Sequence, residues 1–122
     1  SDTEVWKGNK RFGKPANLDE AKAMLRELSG GVHQVISGVC ICDLEKTEST
    51  SVTTHVFFKD LSEDEIEYYV TKFKPLDKAG AYGIQEWIGL VGIEKIEGSY
   101  FNVVGLPVFE LDKMLKDWNS NV

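Results

Sequence analysis

The chain has 122 residues, 42% of them hydrophobic and 28% charged, the size and balance of one globular domain (residues 1–122) with a core of its own. Its net charge of −6 excludes a surface built to displace counterions from nucleic acid, although a single triphosphate needs only a few local cations. No apolar run is long enough to span a bilayer and no signal-peptide pattern is present, so a cytoplasmic protein without membrane partners is expected.

Residues Ser1 to Trp6 are extended in character and run into Lys7-Gly8-Asn9, a turn signal. Lys10 to Phe12 can return as a short strand, broken by Gly13-Lys14-Pro15. Asn17 then starts a helix, with Glu20 placed for a capping box and Leu18, Ala21, Leu25 and Leu28 as its apolar stripe. Ser29-Gly30-Gly31 ends it. His33 to Asp43 carries apolar residues on both faces, which predicts a central strand covered on both sides. Ser51 to Phe58 is β-branched and aromatic, and the polar link Leu44 to Thr50 makes the two a hairpin.

Ser62 and Glu65 form a second capping box, opening a helix through Ile66, Tyr69, Val70 and Phe73 that Lys74-Pro75 stops. A loop dense in glycine and charge follows from Asp77 to Gly83. Ile88 to Ile96 reads as short strands interrupted by Gly89 and Gly92. Leu106-Pro107 opens a last helix, with Val108, Leu111, Leu115 and Trp118 as its buried stripe. The expected class is α/β, a mixed sheet with three helices.

Three loops carry residues that packing does not explain: Asp2-Thr3 with Gly13-Lys14-Pro15, then Asp77-Lys78-Ala79-Gly80, then Tyr82-Gly83-Ile84-Gln85. Triphosphate hydrolysis needs a carboxylate to activate water and cations to meet charge on the leaving group. Asp2, Lys14 and Lys78 are of those types, but each alone reads first as a cap or a solvated charge. His33 and His55 read as satisfied structural histidines, and Cys40 and Cys42 as reduced cysteines of a core strand. Gly80 and Gly83 are the glycines where a backbone could approach a ligand; the others serve turns and bulges. Trp87, Tyr100 and Phe101 could stack a base, with core packing the expected role.

The run Asp77-Lys78-Ala79-Gly80-Ala81-Tyr82-Gly83-Ile84-Gln85 resembles the signature loop of the Maf family. Ser1-Asp2-Thr3, Gly13-Lys14-Pro15, Leu28-Ser29-Gly30 with His33, and Asn102-Val103-Val104-Gly105-Leu106-Pro107 match the family in the same order. The resemblance covers the whole chain. It implies a Maf/ITPase-like mixed β-sheet flanked by helices, and a homodimer. It also implies a house-cleaning hydrolase that cleaves nucleoside triphosphates between the α and β phosphorus atoms with a divalent cation, Mg²⁺ or Mn²⁺. Carried over, Asp2 is the proton acceptor and a candidate metal ligand. Lys14 and Lys78 contact phosphate, Asp77 either helps at the metal or holds the phosphate loop, to which Gly80 also belongs, and Thr3 and Gln85 match base-selecting positions.

The branch that acts on 7-methyl-GTP carries Glu where this chain has Gln85. A cationic methylated guanine favours a carboxylate, whereas a neutral uracil or thymine can be matched by an amide, so Gln85 points to dTTP and UTP. The chain departs from the family in lacking its opening Ser-x-Ser-Pro-Arg-Arg, so the family's N-terminal part is expected to be missing here. That expectation carries two others: exposed apolar surface, and a weak or inactive chain. A nucleotide-binding module without turnover, or an interaction module linked to septum formation and division, is the alternative reading.

Overall fold

The computed structural model describes residues 2–42, 44–105 and 108–120, with the side chains of residues 2, 108–110 and 118–120 not among those described. Alternating residues make the first ladder. Asp2–Lys7 (β1) turns through Gly8, at φ +60, and pairs antiparallel with Lys10–Phe12 (β2). Val32–Cys42 (β3) pairs with β1 on one side and with Thr47–Phe58 (β4) on the other. Ile93–Glu97 (β5) closes the far edge, giving the order β2-β1-β3-β4-β5. Helices against one sheet are the expected α/β class, but all four ladders are antiparallel, so no parallel pair makes the sheet mixed among the described residues.

Leu18–Leu28 (α1) starts where the Asn17 side chain accepts from the Glu20 amide at 2.8 Å. Glu63–Phe73 (α2) has the full reciprocal capping box of Ser62 and Glu65, and it ends at Lys74 in the left-handed region. The two helices bury Ala21, Leu25 and Leu28 with Ile66, Tyr69 and Val70 against one face of the sheet, where Val5, Phe12, Val35, Val56 and Phe58 meet them. After α1, Ser29 accepts from the Leu61 amide and Gly30 donates to Lys59 O, so the Ser29-Gly30 turn fastens the helix to the end of β4.

β3 is central in the sheet but covered on one face only. His33, Val35, Ser37 and Val39 are buried, whereas Ile36 is half-buried and Cys40 and Cys42 are exposed. α1 and α2 pack on the side of Val35, and the two free cysteines alternate to the other face, exposed rather than in the core. β4 starts at Thr47, earlier than the polar composition of Leu44 to Thr50 suggests, because those residues lie on an exposed hairpin arm where backbone pairing outweighs side-chain burial.

The segment Ile88–Ile96 is not a run of short strands. Trp87–Gly92 forms a helix (α3) and only Ile93–Glu97 pairs, as β5. Gly89 and Gly92 lie inside that helix; the Ile84 backbone leaves no room for a Cβ at Gly89, and Leu61 and Phe58 pack closely on Gly92. A short helix over Tyr100–Val104 (α4), capped by Ser99, was not anticipated. Val108–Ser120 (α5) agrees with the expected last helix; Leu106 and Pro107, and the side chains of Val108 and Trp118, lie outside the described residues. Leu111 is half-buried and Leu115 is 44% exposed, so the stripe is not buried at Leu115. No helix among the described residues is long and apolar enough to cross a membrane.

Candidate functional site

The loop after β2 and the loop after α2 are tied to each other. The Gly80 amide donates to Gly13 O at 3.1 Å, across a 3₁₀ turn over Ala79–Ala81. This brings Lys14, one residue past Gly13, beside Asp77 and Lys78. Gly80, at φ +74, is itself buried, and a Cβ there would stand 3.2 Å from Val5 Cγ1. Its glycine is required for packing on β1; it does not line the cavity described next.

A cavity of about 350 Å³ opens between these loops, β1 and the end of α4, within the usual range for small-ligand sites. Thr3, Lys14, Asp77, Lys78 and Gln85 all line it, with Gly83 and Gly105 beside them and Val5, Val35 and Val103 as its apolar floor. Five of the seven residues singled out in the sequence therefore converge. Gly80 supports the loop from beneath. Asp2 pairs with Gly38 at the adjoining position of β1, and its side chain lies outside the described residues.

Two lysines meet one carboxylate here. Lys78 Nζ lies 3.2 Å from Asp77 Oδ1, and its hydrogen bond holds the Asp77 carboxyl below the usual carboxylate range, with the Lys14 charge adding to the effect. Lys78 Nζ also lies 3.6 Å from Glu86 Oε1. Tyr69 donates to that same oxygen at 2.8 Å and accepts from the Gly83 amide at 3.1 Å. Burial, then the Glu86 carboxylate, pushes the Tyr69 phenol up, so it stays a neutral donor. A Cβ on Gly83 would stand 2.7 Å from both Glu86 Oε1 and Lys78 Cε, so a larger residue there would displace the ends of these two side chains.

Glu86 and Tyr69 were not flagged in the sequence. Glu86 follows the signature run, and Tyr69 has the spacing of a core residue on α2, so only the fold reveals that they meet. Tyr69→Phe is expected to speed exchange of the Gly83 amide by about fivefold to tenfold, the worth of one neutral hydrogen bond. Exchange measured by NMR that stays unchanged at Gly83 would contradict this role for Tyr69.

The remaining candidates lie elsewhere or differ from expectation. His33 is buried with Nε2 2.6 Å from Tyr82 Oη, but its Nδ1 has no hydrogen-bond partner among the described residues, so only one ring nitrogen is satisfied there. Burial, then the Lys7 ammonium, draws its pKa from 6.5 to about 4. His55 is half-buried on β4, paired with Glu97. Trp87 packs edge-on to Tyr68. Tyr100 and Phe101 are 44% and 58% exposed, so they are not core residues. No group of three or more His, Cys, Asp or Glu that could cage a metal occurs among the described residues.

Residues 1–118 match the family model described as Maf-like protein. A Christiangramia forsetii protein named dTTP/UTP pyrophosphatase is 56% identical over 117 residues, covering 96% of this chain and 60% of that protein. Proteins of the same name from Parabacteroides distasonis and Cytophaga hutchinsonii are 55% and 54% identical, covering 95% and 100% of this chain but 60% and 56% of their own lengths. The chain thus spans somewhat over half the length of these relatives. With its signature residues gathered around one cavity, and a family match that runs through nearly all of its length, the chain belongs to the Maf-like protein family.

Proposed function

We propose that the protein is a nucleoside triphosphate pyrophosphatase that converts dTTP and UTP to the monophosphate and pyrophosphate. One observation carries the reading: a single cavity holds two lysines at one side and a neutral amide and hydroxyl, Gln85 and Thr3, in the same lining. The names of the relatives, each a dTTP/UTP pyrophosphatase, support it.

In this reading Lys14 and Lys78 take the β and γ phosphates, where negative charge grows as pyrophosphate leaves. Asp2 removes a proton from water as the water oxygen bonds to the α phosphorus. The bond from that phosphorus to the bridging oxygen breaks, and pyrophosphate departs with the electron pair. Gln85 and Thr3 meet the base. Lys78 lines the cavity with its ammonium already placed between Asp77 and Glu86, 3.2 and 3.6 Å away, before the ligand arrives.

A divalent cation suits the donor set only in part. Asp77 is the one carboxylate among the described residues lining the cavity, and it lies on the surface beside two lysines. That suits Mg²⁺ or Mn²⁺ held mainly by phosphate oxygens and water, with Asp77 as a protein ligand and Asp2 as the second candidate. Such an ion would neutralise phosphate charge and polarise the phosphoryl group. The reading extends to a cytoplasmic enzyme, working as a homodimer on nucleotide pools.

The test is pyrophosphate release from dTTP, UTP, CTP and 7-methyl-GTP with Mg²⁺ or Mn²⁺, for the chain and for Asp2→Asn. Release from dTTP and UTP that the variant loses by about a hundredfold or more would support the reading, since that is the scale of one general base. Equal release by Asp2→Asn, or a preference for 7-methyl-GTP, would contradict it.

A further inference from the structure

Beneath the cavity lies a buried polar chain that the roles above leave unused. Thr3 Oγ1 is 3.0 Å from Ser37 Oγ on the neighbouring strand β3, at the paired position of the ladder. Ser37 is fully buried and does not line the cavity. Its Oγ in turn lies 3.2 Å from the backbone oxygen of Asn102 on α4. Asn102 is held in place, because its side-chain nitrogen, with two protons, lies within hydrogen-bond reach of three acceptors, Val35 O, Val52 O and Thr54 Oγ1.

Counting protons fixes the direction of this chain. A carbonyl oxygen can only accept, so the bond to Asn102 O uses the single hydroxyl proton of Ser37. Were that proton turned towards Thr3 instead, a buried Ser37 lone pair would face the Asn102 carbonyl oxygen, which is costly without water. Ser37 must then accept from Thr3, which uses the single Thr3 proton. What Thr3 offers the cavity is therefore a lone pair. Gly105 lies beside it in the cavity lining, where a Cβ would be in ordinary contact, 3.7 Å from Thr3 Oγ1.

We propose that Ser37 is a positioning residue that holds the Thr3 hydroxyl as an acceptor, and that Thr3 thereby selects a base with a ring N–H. The inference rests on the nucleotide reading of the cavity. An acceptor cannot serve phosphate oxygens, which are acceptors themselves, so Thr3 belongs to the base end. Uracil and thymine share an N–H at N3 and differ at C5; their usual nucleotides also differ at the 2′ carbon of the sugar. Cytosine presents a bare acceptor at N3 and would leave two acceptors facing each other.

The test measures binding of UTP, dTTP and CTP analogues whose α,β-bridging oxygen is replaced by an imido group, by calorimetry with Mg²⁺, for the unaltered chain, Ser37→Ala, Thr3→Val and the double variant. Ser37→Ala frees the Thr3 hydroxyl to rotate and donate, so the UTP-to-CTP affinity ratio is expected to fall about tenfold, the worth of one oriented hydrogen bond. Thr3→Val should lower the ratio as well, and adding Ser37→Ala to it should change nothing further. An equal loss for UTP and CTP in Ser37→Ala would overturn the proposal, because a packing defect behaves that way. So would a change confined to UTP against dTTP, which would place a sugar hydroxyl on Thr3. If the unaltered chain binds no nucleotide, the functional reading falls and this inference with it; binding with an unchanged ratio in Ser37→Ala removes this inference alone.

Discussion

Gly89→Ala is expected to destabilise the protein by about 3 kcal/mol or more and to disable the cavity, the largest effect of any single methyl group added here. A Cβ at position 89 would overlap the Ile84 carbonyl oxygen and stand 2.6 Å from its carbonyl carbon. The obstruction is backbone on both sides, so no rotamer relieves it. Gly89 sits in the first turn of α3, where its amide bonds to Glu86 O, and the next turn of chain away is the cavity wall Gly83-Ile84-Gln85. Either α3 moves, pulling the fully buried Ile88 out of the core, or Ile84 and Gln85 move. Urea denaturation and nucleotide binding read the two outcomes together. A variant with unchanged stability and unchanged UTP affinity would contradict the packing described.

The second large effect is an acid-sensitive core. His33 sits between Phe58 and Tyr82, with ring centroids 5.2 and 5.4 Å away, and the Lys7 ammonium also disfavours its charged form. Its pKa falls from 6.5 to about 4 in the folded state, chiefly through burial. The sign follows directly. Between these values the unfolded chain binds a proton that the native protein refuses, so stability rises with pH. The contribution is fully present above pH 6.5 and is lost as pH drops towards 4, reaching about 3 kcal/mol. His33→Gln keeps a neutral partner for Tyr82 but cannot titrate. It should therefore be less stable than the original at pH 7 and lose less between pH 7 and pH 4.5. Parallel urea curves for the two proteins at both pH values would show no such crossing if His33 were charged in the native state.

The strands and helices with strong local signals were legible from residues alone. Asn17 announces α1 as its N-cap, although of the expected capping box with Glu20 only the bond from the Glu20 amide forms; the full box of Ser62 with Glu65 announces α2, and the Lys7-Gly8-Asn9 turn announces the first hairpin. Where the fold departed, tertiary packing outweighed local pattern. Ile88 to Ile96 has the apolar, glycine-punctuated look of strands, yet its glycines let a short helix press against Ile84 and Phe58. Cys40 reads as core by its neighbours Val39 and Ile41, but only the Val39 side of β3 is covered by helices.

For the site, the signature residues were legible through family resemblance, not through chemistry. Lys14 and Lys78 are 64 positions apart, and only the bond between Gly80 and Gly13 shows why they meet. The supporting residues were invisible for a different reason. Ser37, Tyr69 and Glu86 have ordinary positions on strand, helix and loop, and their roles exist only as distances to Thr3, Gly83 and Lys78.

The measurement that bears most directly on the central claim is an NMR titration of the ¹⁵N-labelled chain with UTP whose α,β-bridging oxygen is replaced by an imido group, in the presence of Mg²⁺. The account predicts saturable shifts at the amides of Thr3, Lys14, Lys78, Gly83, Gln85 and Gly105, around one cavity, and weaker binding of the corresponding CTP analogue. Shifts confined to other surfaces, or none at all, would contradict it.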